Sequence, residues 1–302
     1  MFYMKKIGIL ILSVILSLTL MSCSKTSVNT GPDKSDETLI VTSFYPMYIF
    51  TSNIANNVEG VKVVNMTEPQ TGCLHDYQLV PSDMKVLEKA DIFVINGAEM
   101  ESFLDKVTSQ LSTLTIIEAA AGMDLLEDEH GEANPHVWVS ISGAIQEVKN
   151  ITEGLVKADP ANEAAYRKNS EEYIERLENL KQSMHEALND IRTRDIVTFH
   201  EAFPYFASEF NLNIITVIER EPGSEPSAGE LAATINAIKD AQAKVLFTEP
   251  QYPAKAAESI AAQTGGKLYI LDPVVTGPKE APLDSYEKTM EENLNVLIEA
   301  LK

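Results

Sequence analysis

Short apolar runs rich in β-branched residues recur along the chain, separated by segments whose apolar positions return at helical spacing. In the first half these runs are TLIVTS (38–43), VKVVNM (61–66), ADIFVING (90–97) and TLTIIE (113–118). In the second half they are RDIVTF (194–199), NIITVI (213–218), AKVLFTE (243–249) and KLYILD (267–272). Strands alternating with helices predict an α/β layered fold with mainly parallel sheets. The halves begin alike: IVTSFYPMYIFTSNI and IVTFHEAFPYFASEF both pass from a β-branched strand through an aromatic residue to an aromatic-bearing helix start. That likeness predicts two similar lobes, each with a four-stranded sheet and flanking helices.

Between the halves, residues 159–191 keep apolar positions at Ala165, Ile174, Leu177, Leu180, Met184 and Leu188, with no Pro or Gly after Pro160. Asp159 suits an N-cap and Pro160 the first helical position, so one unbroken helix of about 45 Å is expected. The domain plan is then a first lobe over 38–158, a rigid connecting helix over 159–191 and a second lobe over 192–302. A stiff connector predicts small lobe adjustments in place of wide hinge closure. With 302 residues, 44% of them hydrophobic, the chain can bury one large core or, as the two-lobe plan suggests, two of ordinary size.

The N-terminus sets location. Two lysines, an apolar run and the ending LMSC over residues 1–23 read as a secretory signal, and the ending resembles a bacterial lipobox with Cys23 as the lipid-accepting residue. Residues 24–37 are polar and predict a flexible tether holding the folded part at the extracytoplasmic face of a membrane. With Cys23 lipidated, Cys73 has no intrachain disulfide partner. The formal net charge of -21 disfavours nucleic acid and anionic lipid surfaces and suits an exported, soluble monomer.

Five histidines offer the distinctive chemistry: His75, His130, His136, His185 and His200. His185 falls among charged residues of the long helix, and His130 lies in an acidic, turn-rich loop. His75, His136 and His200 stand at the ends of predicted elements, where open α/β sheets bind ligands. Three neutral imidazoles make most of a tetrahedral zinc site. More than sixty residues separate consecutive members, so spacing alone leaves metal binding and scattered core or surface histidines both open.

The segments HDYQLVPSDM (75–84), NPHVWVS (134–140), VTFHEAFPYFASEF (197–210), EREPGSEPSAGEL (219–231) and LFTEPQY (246–252) resemble, in order and over the whole mature chain, the zinc and manganese solute-binding proteins of bacterial ABC importers. The resemblance implies two α/β lobes joined by a long helix, with a metal held between them. It implies His75, His136 and His200 as metal ligands, with Asp272 in YILDPV as an acidic fourth; an Asp before Pro also serves as an ordinary turn. Asp76, Glu201 and Glu249 are then candidates for orienting the imidazoles. The chain departs from the family in having Cys73 and Leu74 just before the first histidine, which leaves a thiol contact with the metal open. It also has a single histidine in the acidic loop before His136, where zinc-specific members often carry many.

The resemblance implies capture of Zn2+, or alternatively Mn2+, and delivery to a cognate ABC permease, without enzymatic turnover. A three-histidine, one-carboxylate site suits zinc, and His200 in place of a Glu favours it over manganese. Two other classes fit three histidines: a zinc metallohydrolase, which HExxH would have supported and the chain lacks, and a metal-containing adhesin. Because imidazoles must be neutral to bind, affinity is expected to fall as pH drops through the range near ~6.5.

Overall fold

The computed structural model describes residues 37–127, 131–218, 227–251 and 255–302; the expected signal sequence, Cys23, the tether up to residue 36 and His130 lie outside them. Residues 37–302 form one compact unit. All eight expected strands are present, each somewhat shorter than its apolar run. In the first lobe β1 (Thr38–Thr42), β2 (Val61–Asn65), β3 (Ile92–Ile95) and β4 (Thr115–Glu118) pair in parallel in the order β2-β1-β3-β4. The second lobe repeats this with β5 (Asp195–Thr198), β6 (Asn213–Val217), β7 (Val245–Thr248) and β8 (Lys267–Ile270), in the order β6-β5-β7-β8. In such an order the chain reverses its winding between β1 and β3, and again between β5 and β7. The crevices beyond those carboxyl ends are where an open α/β sheet receives ligands.

The flanking helices of the first lobe are α1 (Tyr45–Ile54), α2 (Pro81–Leu87), α3 (Leu104–Gln110) and α4 (Ile141–Ala158). The connector is shorter than expected over 159–191. A 3₁₀ turn at Pro160–Asn162 precedes α5 (Glu163–Ala187), which at 1.5 Å per residue runs about 38 Å. Asp159 does not cap the helix; its carboxylate accepts from the Asn162 amide and the Tyr166 hydroxyl, both at 2.8 Å, which tightens the entry into a turn. At the other end Arg194 donates to the carbonyls of Leu188 and Asn189, satisfying groups a helix end leaves bare and fixing the stop before Asp190. The second lobe adds α6 (Pro204–Glu209), α7 (Ala228–Asp240), α8 (Lys255–Thr264) and α9 (Ser285–Leu301).

The two-core expectation needs correcting. One hydrophobic cluster runs through both lobes, from Ile40, Phe50 and Phe93 through Trp138, Tyr166 and Tyr173 to Phe206, Phe247, Leu271 and Met290. A small second cluster, including Val197, Ile238, Leu246 and Ile260, lies under the outer helices of the second lobe. Successive residues of β5 alternate between them, Ile196 facing the shared core and Val197 the smaller one. The cores merge because α9 returns across the molecule to pack on α5 and α1. Polar contacts pin it there: Arg176 on α5 donates to Glu287 at 2.8 Å and to the Asn53 side-chain oxygen at 2.6 Å, and the Asn53 amide donates to the Leu283 carbonyl at 3.0 Å. No described helix is long and apolar enough to cross a membrane.

Candidate metal centre

Three loops converge at the crevice between the lobes. His200 sits two residues beyond β5, at the point where the second sheet reverses its winding. Its ring is 1% exposed, and a carboxylate oxygen of Glu249, just past β7, lies 3.4 Å from its Nδ1. His136 precedes a buried 3₁₀ turn, Val137–Val139, whose Trp138 donates its indole N–H to the Pro273 carbonyl at 2.8 Å. The loop carrying His136 is thereby tied to the second lobe. His75 comes from the irregular segment after β2 and is half-buried.

The rings meet. Centroids of His136 and His200 are 4.8 Å apart, those of His75 and His136 5.1 Å, and those of His75 and His200 6.4 Å. The Nε2 atoms of His75 and His136 are 3.3 Å apart. Cys73 joins them, its Sγ 3.6 Å from His136 Nε2. One ligand atom from each of Cys73, His75, His136 and His200 lies within 4.8 Å of all the others, the group among the described residues that could hold a metal ion.

Asn134, which sequence reasoning passed over, organises this centre. Its side-chain oxygen accepts from the His136 backbone N–H and faces His136 Nδ1, both at 3.0 Å, and its amide donates to the Glu201 carbonyl at 2.9 Å. An acceptor at Nδ1 places the ring proton there and leaves the Nε2 lone pair turned into the cluster. Asn134 thus fixes the tautomer of one histidine while holding the residue after another. The visible signal was the Asn-Pro-His triplet, in which an Asn side chain folds back onto the backbone two residues on.

The remaining expected residues take other places. Asp272 is not among the clustered ligands: it follows β8, the edge strand, though its carboxylate feels the charge of Glu249 beside His200. One carboxylate oxygen accepts from the Val274 N–H at 2.7 Å, forming the Asp-Pro turn, and its backbone is bonded on both sides by Asn293 of α9. Asp76 is exposed beside His75, and Glu201 is half-buried with its carbonyl bound by Asn134. Glu249 is buried against His200, and its second oxygen accepts from Gln251. His185 packs its ring on Phe210, away from the centre.

Burial shapes the protonation of the metal-free cluster. Desolvation, aided by the neighbouring His200, lowers His75 to about 4 and holds His136 well below the ordinary imidazole range. Acid competition at these two nitrogens therefore begins well below the pH near ~6.5 expected from isolated imidazoles. Burial acts oppositely on Asp272, raising its carboxyl to about 6 against the opposing bond from Val274.

Comparison with known proteins places these features in context. A family profile described as ZnuA, the periplasmic component A of a zinc-uptake complex, matches residues 40–300. The high-affinity zinc uptake system protein ZnuA of Bacillus subtilis (strain 168) is 31% identical over 305 residues, spanning 94% of each protein. The zinc-binding lipoprotein AdcA of Streptococcus pneumoniae (strain ATCC BAA-255 / R6) is 29% identical over 314 residues, 97% of this chain but 60% of that protein, so the chain spans less than two thirds of that longer relative. Among solved structures, the solute-binding protein FpvC from Pseudomonas aeruginosa, in complex with Mn2+, superposes with a TM-score of 0.79 at 31% identity, covering 88% of this chain and 98% of that one.

Proposed function

The chain belongs to the family of zinc-uptake component A proteins, and from that premise we propose that it captures Zn2+ outside the cytoplasm, in the crevice between its lobes, and delivers it to a cognate ABC permease. One observation carries the reading: His75, His136 and His200, from three separate segments, bring their rings into a single cluster, with His136 and His200 fully buried. Buried neutral imidazoles with no apolar reason to meet are the donors zinc prefers, and each gains a bond when an ion enters. Asn134 holds the His136 ring from behind, the arrangement that raises ligand basicity, and a Glu249 oxygen lies 3.4 Å from His200 Nδ1. The ion is cargo, held and passed on without chemical turnover.

The same proposal places the folded part on a tether, lipid-anchored through Cys23 as a monomer; the LMSC motif and the lipoprotein relative support the anchor. The manganese alternative draws on the likeness to the Mn2+ complex of FpvC, but imidazole-rich donors favour zinc in the affinity order of divalent ions. The test is metal analysis of the chain from residue 24 onward, which retains the compact unit 37–302, followed by zinc and manganese titration of the stripped protein and of His200→Ala. One tight equivalent of zinc, largely lost in the variant, is the expected result. Tighter manganese binding would change the cargo, and no stoichiometric metal would overturn the assignment.

A further inference from the structure

We propose that Cys73, in place of Asp272, supplies the fourth donor, so that the cargo ion is held by one thiolate and three imidazoles; the proposal rests on the zinc-capture reading. Its first support is geometry. A tetrahedral ion with Zn–N of about 2.05 Å and Zn–S of about 2.3 Å has N···N edges of about 3.3 Å and N···S edges of about 3.5 to 3.6 Å. The observed separations are 3.3 Å between His75 and His136 Nε2 and 3.6 Å between Cys73 Sγ and His136 Nε2. Two edges of the tetrahedron thus already have their bound lengths. No separation in the group exceeds 4.8 Å, so closure on the ion asks at most about 1.2 to 1.5 Å of a pair still apart.

The second support is how the loop delivers its donors. Cys73 and His75 flank Leu74, whose side chain is fully buried and whose N–H is held by the Met100 sulfur at 3.4 Å. Leu74 thus anchors the chain in the core between the two donors, and the Tyr77 N–H donates to the Leu74 carbonyl at 3.1 Å, closing the turn that carries His75. Gly72 starts this segment at φ +83°, and a Cβ there would meet nothing within 4 Å; it is the backbone angle, not room, that the position requires. The third support is the position of the alternative. The Asp272 carboxylate closes its own Asp-Pro turn at the end of an edge strand, outside the clustered donors.

On entry of the ion the Cys73 S–H bond gives way to a metal–sulfur bond, and the proton passes to solvent. A sulfur donor makes the set softer, which tips selection further toward zinc and away from manganese.

Cobalt(II) reads the donor set directly, because thiolate ligation gives an intense near-ultraviolet charge-transfer band that nitrogen and oxygen donors lack. The metal-stripped chain from residue 24 would be titrated with Co2+ alone, then with Zn2+ in competition, as wild type, Cys73→Ser and Asp272→Asn, with circular dichroism confirming the fold of each. The expected wild-type result is one cobalt per chain with the charge-transfer band. Cys73→Ser should lose the band and weaken zinc at least about tenfold, the lower end of what even an outer-sphere change costs; Asp272→Asn should keep both. A stoichiometric wild-type cobalt complex without the band overturns the thiolate, as does an Asp272→Asn that loses zinc while Cys73→Ser binds normally. Those outcomes leave capture intact. Absence of any stoichiometric metal in the wild type overturns the capture reading, and the thiolate with it.

Discussion

Glu209 at the end of α6 joins the two lobes at the centre, and its replacement tests how the cluster is held. One carboxylate oxygen accepts from the Ile141 N–H at 2.7 Å, and the other from the Ser142 N–H at 3.1 Å and from the Ser142 hydroxyl. Ser140 Oγ takes the next N–H, Gly143, at 3.0 Å. The first turn of α4 is thus capped by a charge from the opposite lobe, where the helix dipole favours an anion. His136 lies a few residues before this turn and His200 a few residues before α6, so the clamp sets their separation. Hydrogen bonds to a charged group contribute about 1.5–3 kcal/mol net, and the half-exposed setting argues for the lower part of that range, about 2 kcal/mol for Glu209→Ala. In a unit of this size that lowers Tm by roughly 4–8 °C. If half of it is felt in the spacing of the two imidazoles, zinc binds roughly fivefold more weakly. Glu209→Gln, which keeps one acceptor, should lose about half as much, and 1 M salt should narrow the gap between Glu and Gln. Urea unfolding and chelator-competition titration read the two quantities. An Ala variant within about 0.5 kcal/mol of wild type, with unaltered zinc affinity, would show that the clamp neither stabilises nor positions.

Three further outcomes follow from the same geometry. Glu101, buried and accepting from Ser43, Asn96 and Gly97, has its carboxyl raised to about 7 by desolvation from 4.5; the folded state binds the extra proton, so stability falls as pH rises across that interval by about 3 kcal/mol, and Glu101→Gln should remove that part of the slope in unfolding measured from pH 5 to 8. Asn134→Ala should weaken zinc by about 10–100-fold by releasing the His136 tautomer, with a much smaller change in the metal-free Tm than in the affinity; equal loss of both would make the residue merely structural. Scattering curves of metal-free and zinc-loaded protein should nearly superpose, because a core continuous through both lobes resists hinge motion; marked compaction on loading would contradict it.

The strands were legible because β-branched runs bounded by turn residues have few other uses, and the repeat of the opening motif carried the likeness of the two lobes. What the pattern could not carry was lateral order. LFTE and YILD both end in an acidic residue after an apolar run, yet Glu249 closes on His200 while Asp272 sits at the sheet edge, because β7 pairs with β5 and β8 does not. Asn134 was hidden for a similar reason: its role depends on partners in both lobes. The end of the connecting helix escaped because Arg194, which secures it, belongs to the next strand's approach. The shared core was invisible because nothing in the amphipathic pattern of 285–301 says which lobe its apolar face will meet.

The return of α9 to the first lobe bears on how the protein reaches its working place. The final helix supplies Tyr286, Met290, Leu297 and Leu301 to the core that also holds Phe50 of α1, and the Tyr286 hydroxyl donates to the Trp138 carbonyl at 2.8 Å. The first lobe is therefore not complete until the last residues of the chain have arrived. Contacts of such long sequence separation fold slowly, since the loop between them must be closed before they reward it. A chain emerging from a membrane pore amino end first would stay loose, and open to proteases and chaperones, until translocation ends. Loss of the C-terminal turn by truncation would accordingly be felt at the amino-terminal sheet, in the yield of exported protein before it is felt in metal binding.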